Sequence, residues 1–270
     1  MGPYPIRVSD FRPALRASEL NVRLAGGLWD LEVVRETGST NADLAARARD
    51  GAPMGTVLVA DLQTAGRGRA GRSWSAPAGS SLAVSVLLRP VDVAAERWGW
   101  LPLMAGVAVV DVVRRVAGVE GAALKWPNDV VVGDRKLAGL LAERVDTPAG
   151  PALVLGMGLN TTLTAQERPV PTATSLLLEG ATETDRTRVL VAVLSELAER
   201  YVAWAAASGD AEASGLAAAY TALCATIGRD VRVELPGGEV LAGRADAVDD
   251  EGRLVVDGRA VSAGDVVHVR

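Results

Sequence analysis

The sequence predicts an α/β chain, helices and strands intermixed up to about residue 226, with a small β-barrel behind it. Three observations carry this. Short β-rich runs alternate with helical patterns between Leu31 and Ala225. Glu96–Val116 is a long helical pattern apolar enough to be buried, its stretch Trp98–Val113 being too short and too closely flanked by Arg97 and Arg114 to span a membrane. From Ile227 the texture changes to short strands and tight turns, which suits an SH3-like barrel. The expected domains are therefore 1–226 and 227–270, with residues 1–30 an irregular lead-in holding a short helix near Arg12–Ala25.

The elements follow from local chemistry. Leu31–Glu36 is a strand. Thr37-Gly38-Ser39-Thr40-Asn41 then supplies turn and capping residues for a helix over Ala42–Asp50, which Gly51 and Pro53 stop. Thr56–Ala60 and Leu82–Leu88 are β-rich runs. Ala123–Trp126 is a short strand, and Asp129–Val132 with Leu137–Arg144 flank the hairpin turn Gly133-Asp134-Arg135-Lys136. Ala152–Leu155 is a strand leading into Gly156-Met157-Gly158-Leu159-Asn160. Helical stretches follow at Asp185–Ala207 and Ala211–Ala225. The barrel strands are Val231–Leu235, Glu239–Asp246, Arg253–Val256 and Val266–Val269.

Composition narrows the chemistry. Cys224 and His268 are the only cysteine and histidine in 270 residues. No disulfide can form within the chain, a Cys/His zinc site is excluded, and a histidine-based triad would need His268 near the chain's end. Reactions must run on Lys, Arg, carboxylates, hydroxyls and backbone amides, with Cys224 a small buried hydrophobe. A net charge of −5 opposes a dedicated nucleic-acid binder. The N-terminus lacks the apolar core of a signal peptide, so a cytoplasmic protein without membrane contact is expected.

Four stretches carry candidate chemistry. Gly66-Arg67-Gly68-Arg69-Ala70-Gly71-Arg72 matches a dinucleotide fingerprint, but Ser73–Ser81 cannot open the helix which that fingerprint needs. What remains is a glycine-rich loop offering Arg67, Arg69 and Arg72 to a carboxylate or phosphate, and expected to be mobile because nothing apolar anchors it. Lys125-Trp126-Pro127-Asn128-Asp129 places an amine, an amide and a carboxylate around one turn, and Lys136 follows the hairpin so that its amine can return to the same cleft. Gly156–Asn160, at a strand end, leaves the backbone open to a ligand, with Asn160 a polar contact. Gly38-Ser39-Thr40-Asn41 opens a helix whose free amides suit an acceptor-rich group, and Gln63 adds a two-sided amide.

Together and in this order, these stretches and Arg135-Lys136-Leu137-Ala138-Gly139 resemble the biotin protein ligase family, strongly over about residues 30–180. The resemblance implies a mixed-sheet catalytic domain related to class II aminoacyl-tRNA synthetases plus the SH3-like domain. It implies ATP-dependent formation of biotinyl-5′-AMP, then transfer to a lysine of biotin carboxyl carrier domains of acyl-CoA carboxylases. Ser39, Thr40, Asn41 and Gln63 would line the biotin head. Arg67, Gly68, Arg69 and Lys136 would meet the carboxylate and acyl phosphate. Arg69, Arg72, Lys125, Asn128 and Asn160 would face ATP, with Asp129 positioning metal or amine. Trp74 and Trp126 would be apolar walls, and Trp74 the adenine contact, since Pro169–Ser175 has no aromatic. Arg67, Arg69, Lys125 and Lys136 are thus the expected catalytic cations. Magnesium would come with ATP. Residues 1–30 are too short for the winged helix of relatives that repress transcription, so no specific DNA partner is expected, and the chain is expected to be a monomer or weak homodimer.

Two alternatives differ in what they bind. A lipoate or octanoate ligase or transferase shares the catalytic fold, while the Gly/Arg loop and the barrel favour biotin. A non-enzymatic module with a basic loop for nucleic acid is opposed by the acidic balance and the few aromatics.

Overall fold

The computed structural model describes residues 12–269; the part of the expected lead-in at 1–11 lies outside the described residues. The chain runs α1 (Ala17–Leu24), β1 (Asp30–Thr37), α2 (Thr40–Arg49), β2 (Thr56–Gln63), β3 (Ser81–Leu88), α3 (Trp100–Arg115), β4 (Ala122–Lys125), β5 (Asp129–Val132), β6 (Arg135–Thr147), β7 (Gly150–Asn160), α4 (Arg186–Ala206) and α5 (Leu216–Leu223). Then come β8 (Asp230–Glu234), β9 (Val240–Val248), β10 (Leu254–Val256), β11 (Arg259–Val261) and β12 (Asp265–His268).

The first sheet has seven strands in the order β1-β2-β3-β7-β6-β5-β4, mixed because only β1 and β2 pair parallel. Its two faces differ. Residues 82, 84, 86 and 88 of β3 and 153, 155, 157 and 159 of β7 face the main core under α3 and α4. The alternate residues face the other way. There Leu87, Val145, Ala152 and Val154 pack under Leu44 and Ala48 of α2. Beyond α2 the same face carries Ala83, Ser85, Gly139, Gly156 and Gly158, and these have almost no side chain to fill the space. An open cleft lies there.

β8–β12 form an antiparallel five-stranded sheet in the order β11-β10-β9-β8-β12, with Val231, Val233, Ala245, Leu254, Val256 and Val266 inside. Indole nitrogens of Trp100 and Trp126 donate to Asp250 O (3.1 Å) and Gly252 O (3.2 Å), tying the turn before β10 to the start of α3 and to the β4–β5 turn. Gly99 permits this approach, since a β-carbon there would lie 2.1 Å from Glu251 O. Among the described residues no helix is long and apolar enough to cross a membrane.

Four expectations change. The helix expected over 96–116 splits into a 3₁₀ turn, Ala95–Gly99, and α3. The helix expected from Ala211 starts at Leu216, because Gly215 is left-handed (φ 75°) and interrupts it. The strand expected over Ala152–Leu155 runs from Gly150 through Asn160, so Gly156–Asn160 is the end of β7 itself, paired with β3 on one side and, through Leu159, with β6 on the other. β11 went unseen because three residues, Arg259-Ala260-Val261, give no period to read.

Candidate active site

The cleft is floored by two rungs of the sheet. In one rung Ala83, Gly158 and Gly139 lie side by side on β3, β7 and β6; in the next, Ser85, Gly156 and Leu141 do. Each central glycine is covered by a side chain from elsewhere. A β-carbon at Gly158 would lie 2.5 Å from Cε2 of Trp74, and one at Gly156 would lie 2.3 Å from Oδ1 of Asn41. The glycines of these strands therefore admit an indole and an amide onto the floor.

One end of the cleft is neutral. Ser39 caps α2, its hydroxyl accepting from Ala42 N–H at 3.4 Å. Gln63, the last residue of β2, accepts through Oε1 from Thr40 N–H (2.8 Å), and Thr40 Oγ1 lies 3.0 Å from the same oxygen. Asn41 Nδ2 donates to Leu141 O (3.2 Å) and Glu143 Oε2 (2.7 Å), while Ser85 Oγ lies 2.6 Å from Asn41 Oδ1.

The other end is cationic. Residues 66–74 form a short irregular hairpin: Gly68 N–H donates to Arg72 O (2.6 Å), Trp74 N–H to Gly66 O (2.9 Å), and Ala70 turns the tip in the left-handed region (φ 52°). The expectation that nothing apolar anchors this loop is corrected, because Trp74 seats its ring on Gly158 and Gly139. Gly66 must be glycine, since its β-carbon would meet Trp74 O at 2.4 Å. Arg69 is half-buried and donates to Asn128 Oδ1 (3.2 Å); burial pulls its guanidinium below the usual arginine range. Asn128 is oriented by donating to Leu140 O (2.9 Å), which leaves its oxygen for Arg69. Arg67 lies 3.7 Å from Glu143, and Arg72 is paired with Asp265 of β12 at 2.8 Å. Lys136 Nζ pairs with Asp129 Oδ1 at 2.6 Å and stands 6.0 Å from the Trp74 ring centre.

Of the expected site residues, Ser39, Thr40, Asn41, Gln63, Arg67, Gly68, Arg69, Arg72, Trp74, Asn128 and Lys136 line this one cleft. Asp129 reaches it only through Lys136. Lys125 stands outside the lining, at the end of β4, where its charge acts on His268. Asn160 is buried and donates to Thr174 O (2.9 Å), so it fastens segment 172–174 beside β6, where Lys136 N–H donates to Thr172 O (2.7 Å). Trp126 is almost fully buried and borders a second space that shares Arg69 and Asn128 with the cleft. Ser85 and Glu143 escaped the sequence reading. Ser85 was legible as the lone hydroxyl in an otherwise apolar run; Glu143 had no signal beyond its place in a strand.

Comparison with known proteins sets the class first. Residues 33–160 match the model of the biotin/lipoate A/B protein ligase family, and residues 226–269 match the biotin protein ligase C-terminal domain. The chain is 50% identical over 269 residues to the biotin–[acetyl-CoA-carboxylase] ligase of Mycobacterium tuberculosis, covering 96% of this chain and 97% of that one. It is 31% identical to the bifunctional ligase/repressor BirA of Bacillus subtilis, over 84% of this chain and 68% of the other. The structure of biotin protein ligase from Aquifex aeolicus in complex with biotin and ATP superposes with a TM-score of 0.72 at 27% identity, covering 89% of this chain and 99% of that chain. The chain belongs to the biotin protein ligase family.

Proposed function

We propose that the protein joins biotin to ATP, giving biotinyl-5′-AMP and pyrophosphate, and then passes the biotinyl group to a lysine ε-amine of a biotin carboxyl carrier domain. One observation carries this: the cleft has a neutral hydroxyl-and-amide end at Thr40 and Gln63, a cationic end at Arg67, Arg69 and Lys136, and an indole over glycines between them. Biotin has the same order of parts, a ureido ring, an apolar body and a carboxylate.

In the first step a carboxylate oxygen bonds to the α-phosphorus and pyrophosphate leaves. In the second the amine bonds to the acyl carbon, AMP leaves and the amine loses a proton. Neither step needs an enzyme nucleophile. The first brings an anion to a polyanion, which calls for fixed positive charge. Lys136 and Arg67 meet the carboxylate, with Gly68 giving backbone access. Arg69, held by Asn128, sits between the cleft and the second space, which has room for the nucleotide's phosphates. Arg72 exchanges Asp265 for phosphate, and Trp74 walls the join. Lys125 and Asn160 act at most from outside the lining.

Magnesium comes as part of the substrate Mg-ATP. Among the described residues no three His, Cys, Asp or Glu side chains gather to hold a metal, and Asp129 is engaged by Lys136, so the fit is to a phosphate-borne ion.

The test is incubation with biotin, Mg-ATP and a carrier domain, followed by mass spectrometry. A carrier heavier by one biotinyl group on one lysine is expected; no such product and no adenylate would sink the reading. Competition by lipoate but not by biotin would move it to the lipoate branch.

A further inference from the structure

Glu143 belongs to neither end of the cleft, yet it touches both. It lies on β6 where the glycine floor gives way to the side chains under α2. Its Oε1 is 3.7 Å from Arg67 in a half-exposed pair of little energetic weight. Its Oε2 accepts from Asn41 Nδ2 at 2.7 Å.

That second contact has consequences along a chain of hydroxyls. An ionised carboxylate can only accept, so Asn41 must present its nitrogen to Glu143. Leu141 O, 3.2 Å from the same nitrogen, demands the same orientation. Asn41 Oδ1 then faces Ser85 Oγ at 2.6 Å and takes the one proton Ser85 has. Ser85 Oγ is also 2.8 Å from Thr40 Oγ1 and, its proton spent, can only accept there. Thr40's proton is thus drawn to Ser85. Gln63 Oε1 keeps the hydrogen bond from Thr40 N–H, and Thr40 Oγ1, 3.0 Å away, has no proton left to give it. Thr40 Oγ1 and Gln63 Oε1 are left as acceptors, and Gln63 Nε2 as a donor, at the neutral end of the cleft. A ring carrying N–H groups around a carbonyl is complementary to that set. With Asn41 reversed, every proton would shift one place, Thr40 would saturate Gln63 Oε1, and Ser85 would occupy a lone pair of Thr40.

We propose that Glu143 is a positioning residue which, acting through Asn41, Ser85 and Thr40, makes the head-group pocket rich in acceptors and so selects a cyclic urea. This rests on the reading that biotin's ureido ring lies against Thr40 and Gln63. Gly156 is part of the device, because no other residue lets Asn41 reach both Ser85 and Leu141 across its strand.

The test measures biotin and Mg-ATP affinity separately by calorimetry, with melting temperatures, for the full chain and for Glu143→Ala, Glu143→Gln, Ser85→Ala and the Glu143→Ala/Ser85→Ala pair. A hydrogen bond to a charged group corresponds to roughly ten- to 100-fold in affinity. Glu143→Ala should weaken biotin by about that factor while leaving Mg-ATP unchanged. Glu143→Gln, whose amide oxygen still accepts from Asn41, should recover most of the loss. The pair should lose less than the product of the single losses, because both substitutions cut one relay. Unchanged biotin affinity in Glu143→Ala, equal losses for biotin and Mg-ATP, or independent effects in the pair would overturn the proposal. Failure of the unsubstituted chain to bind biotin would instead defeat the functional reading beneath it.

Discussion

The two faces of the seven-stranded sheet are made from the same strands and serve opposite ends. Toward α3 and α4, β3 and β7 present Leu82, Val84, Val86, Leu153, Leu155 and Leu159, all buried. Toward the cleft the alternate positions are Ala83, Ser85, Gly156 and Gly158. One face is built by adding aliphatic volume, the other by leaving it out so that Trp74 and Asn41 can be seated and a ligand admitted. Stability and binding are thereby assigned to alternate residues of one strand, and substitutions should separate them.

The largest effect is expected where a charge reaches the cleft. Lys136→Met should lower the rate of adenylate formation by about 100- to 1,000-fold, the usual cost of deleting one fixed group that stabilises a transition state. Lys125→Met should change it by less than about threefold, since a charge outside the lining is screened. Single-turnover release of pyrophosphate measures both. Equal losses would return Lys125 to the reacting centre and undo the separation that the geometry makes.

Those two lysines also show what the sequence could and could not reveal. Strand alternation and the hairpin turn were enough to anticipate β5 and most of β6, whereas only the company of the other motifs pointed Lys136 at the cleft. The side to which Lys125 points depends on how segment 224–226 and β12 pack against β4, through Ala225 N–H to Leu124 O (2.8 Å) and the Thr226–His268 contact. Such pairing over a hundred residues leaves no local pattern. Glycine had the same limit. Gly156 and Gly158 looked like punctuation, and only the neighbouring strands and Trp74 show that they are floor. Ser85 and Glu143 matter through partners more than 40 residues away.

A middle-sized pair of effects tests the faces directly. Gly158→Ala puts a β-carbon 2.5 Å from the Trp74 ring. Overpacking costs about 1–3 kcal/mol, which is roughly ten- to 100-fold in biotin affinity if the ring yields into the cleft. Calorimetry should show that loss. Leu155→Ala, on the opposite face, should instead cost about 2–5 kcal/mol of stability, with the folded fraction binding biotin as before. Gly158→Ala with unchanged affinity would mean that the ring moves away from the ligand.

A smaller effect concerns the loop. Trp74→Ala removes its apolar seat, so tryptic cleavage after Arg67, Arg69 and Arg72 should accelerate severalfold, with global stability little changed. Addition of biotin should slow cleavage in both proteins. Unaltered cleavage in Trp74→Ala would show that the backbone hydrogen bonds of the hairpin hold the loop by themselves.

The smallest effect lies at the β4 edge, outside both faces. His268 shares Thr226 Oγ1 (3.1 Å) with Trp126 N–H, and burial together with the charges of Lys125 and Arg229 lowers its pKa below the ordinary 6.5, against an opposing pull from Asp134. The folded chain thus keeps this imidazole neutral at a pH where the unfolded chain already takes up a proton. Stability is fully present above 6.5 and falls as pH drops from there toward the folded value, below which this group has no further influence. Glu167 acts in the same direction but later: its carboxyl is held down at about 2, first by Arg12, so its contribution is lost only as pH falls from the ordinary 4.5 toward that value. The melting temperature should therefore begin to decline just under 6.5, and His268→Gln should flatten that first decline while leaving the acid limb intact. A decline unchanged in His268→Gln would place the titrating group elsewhere.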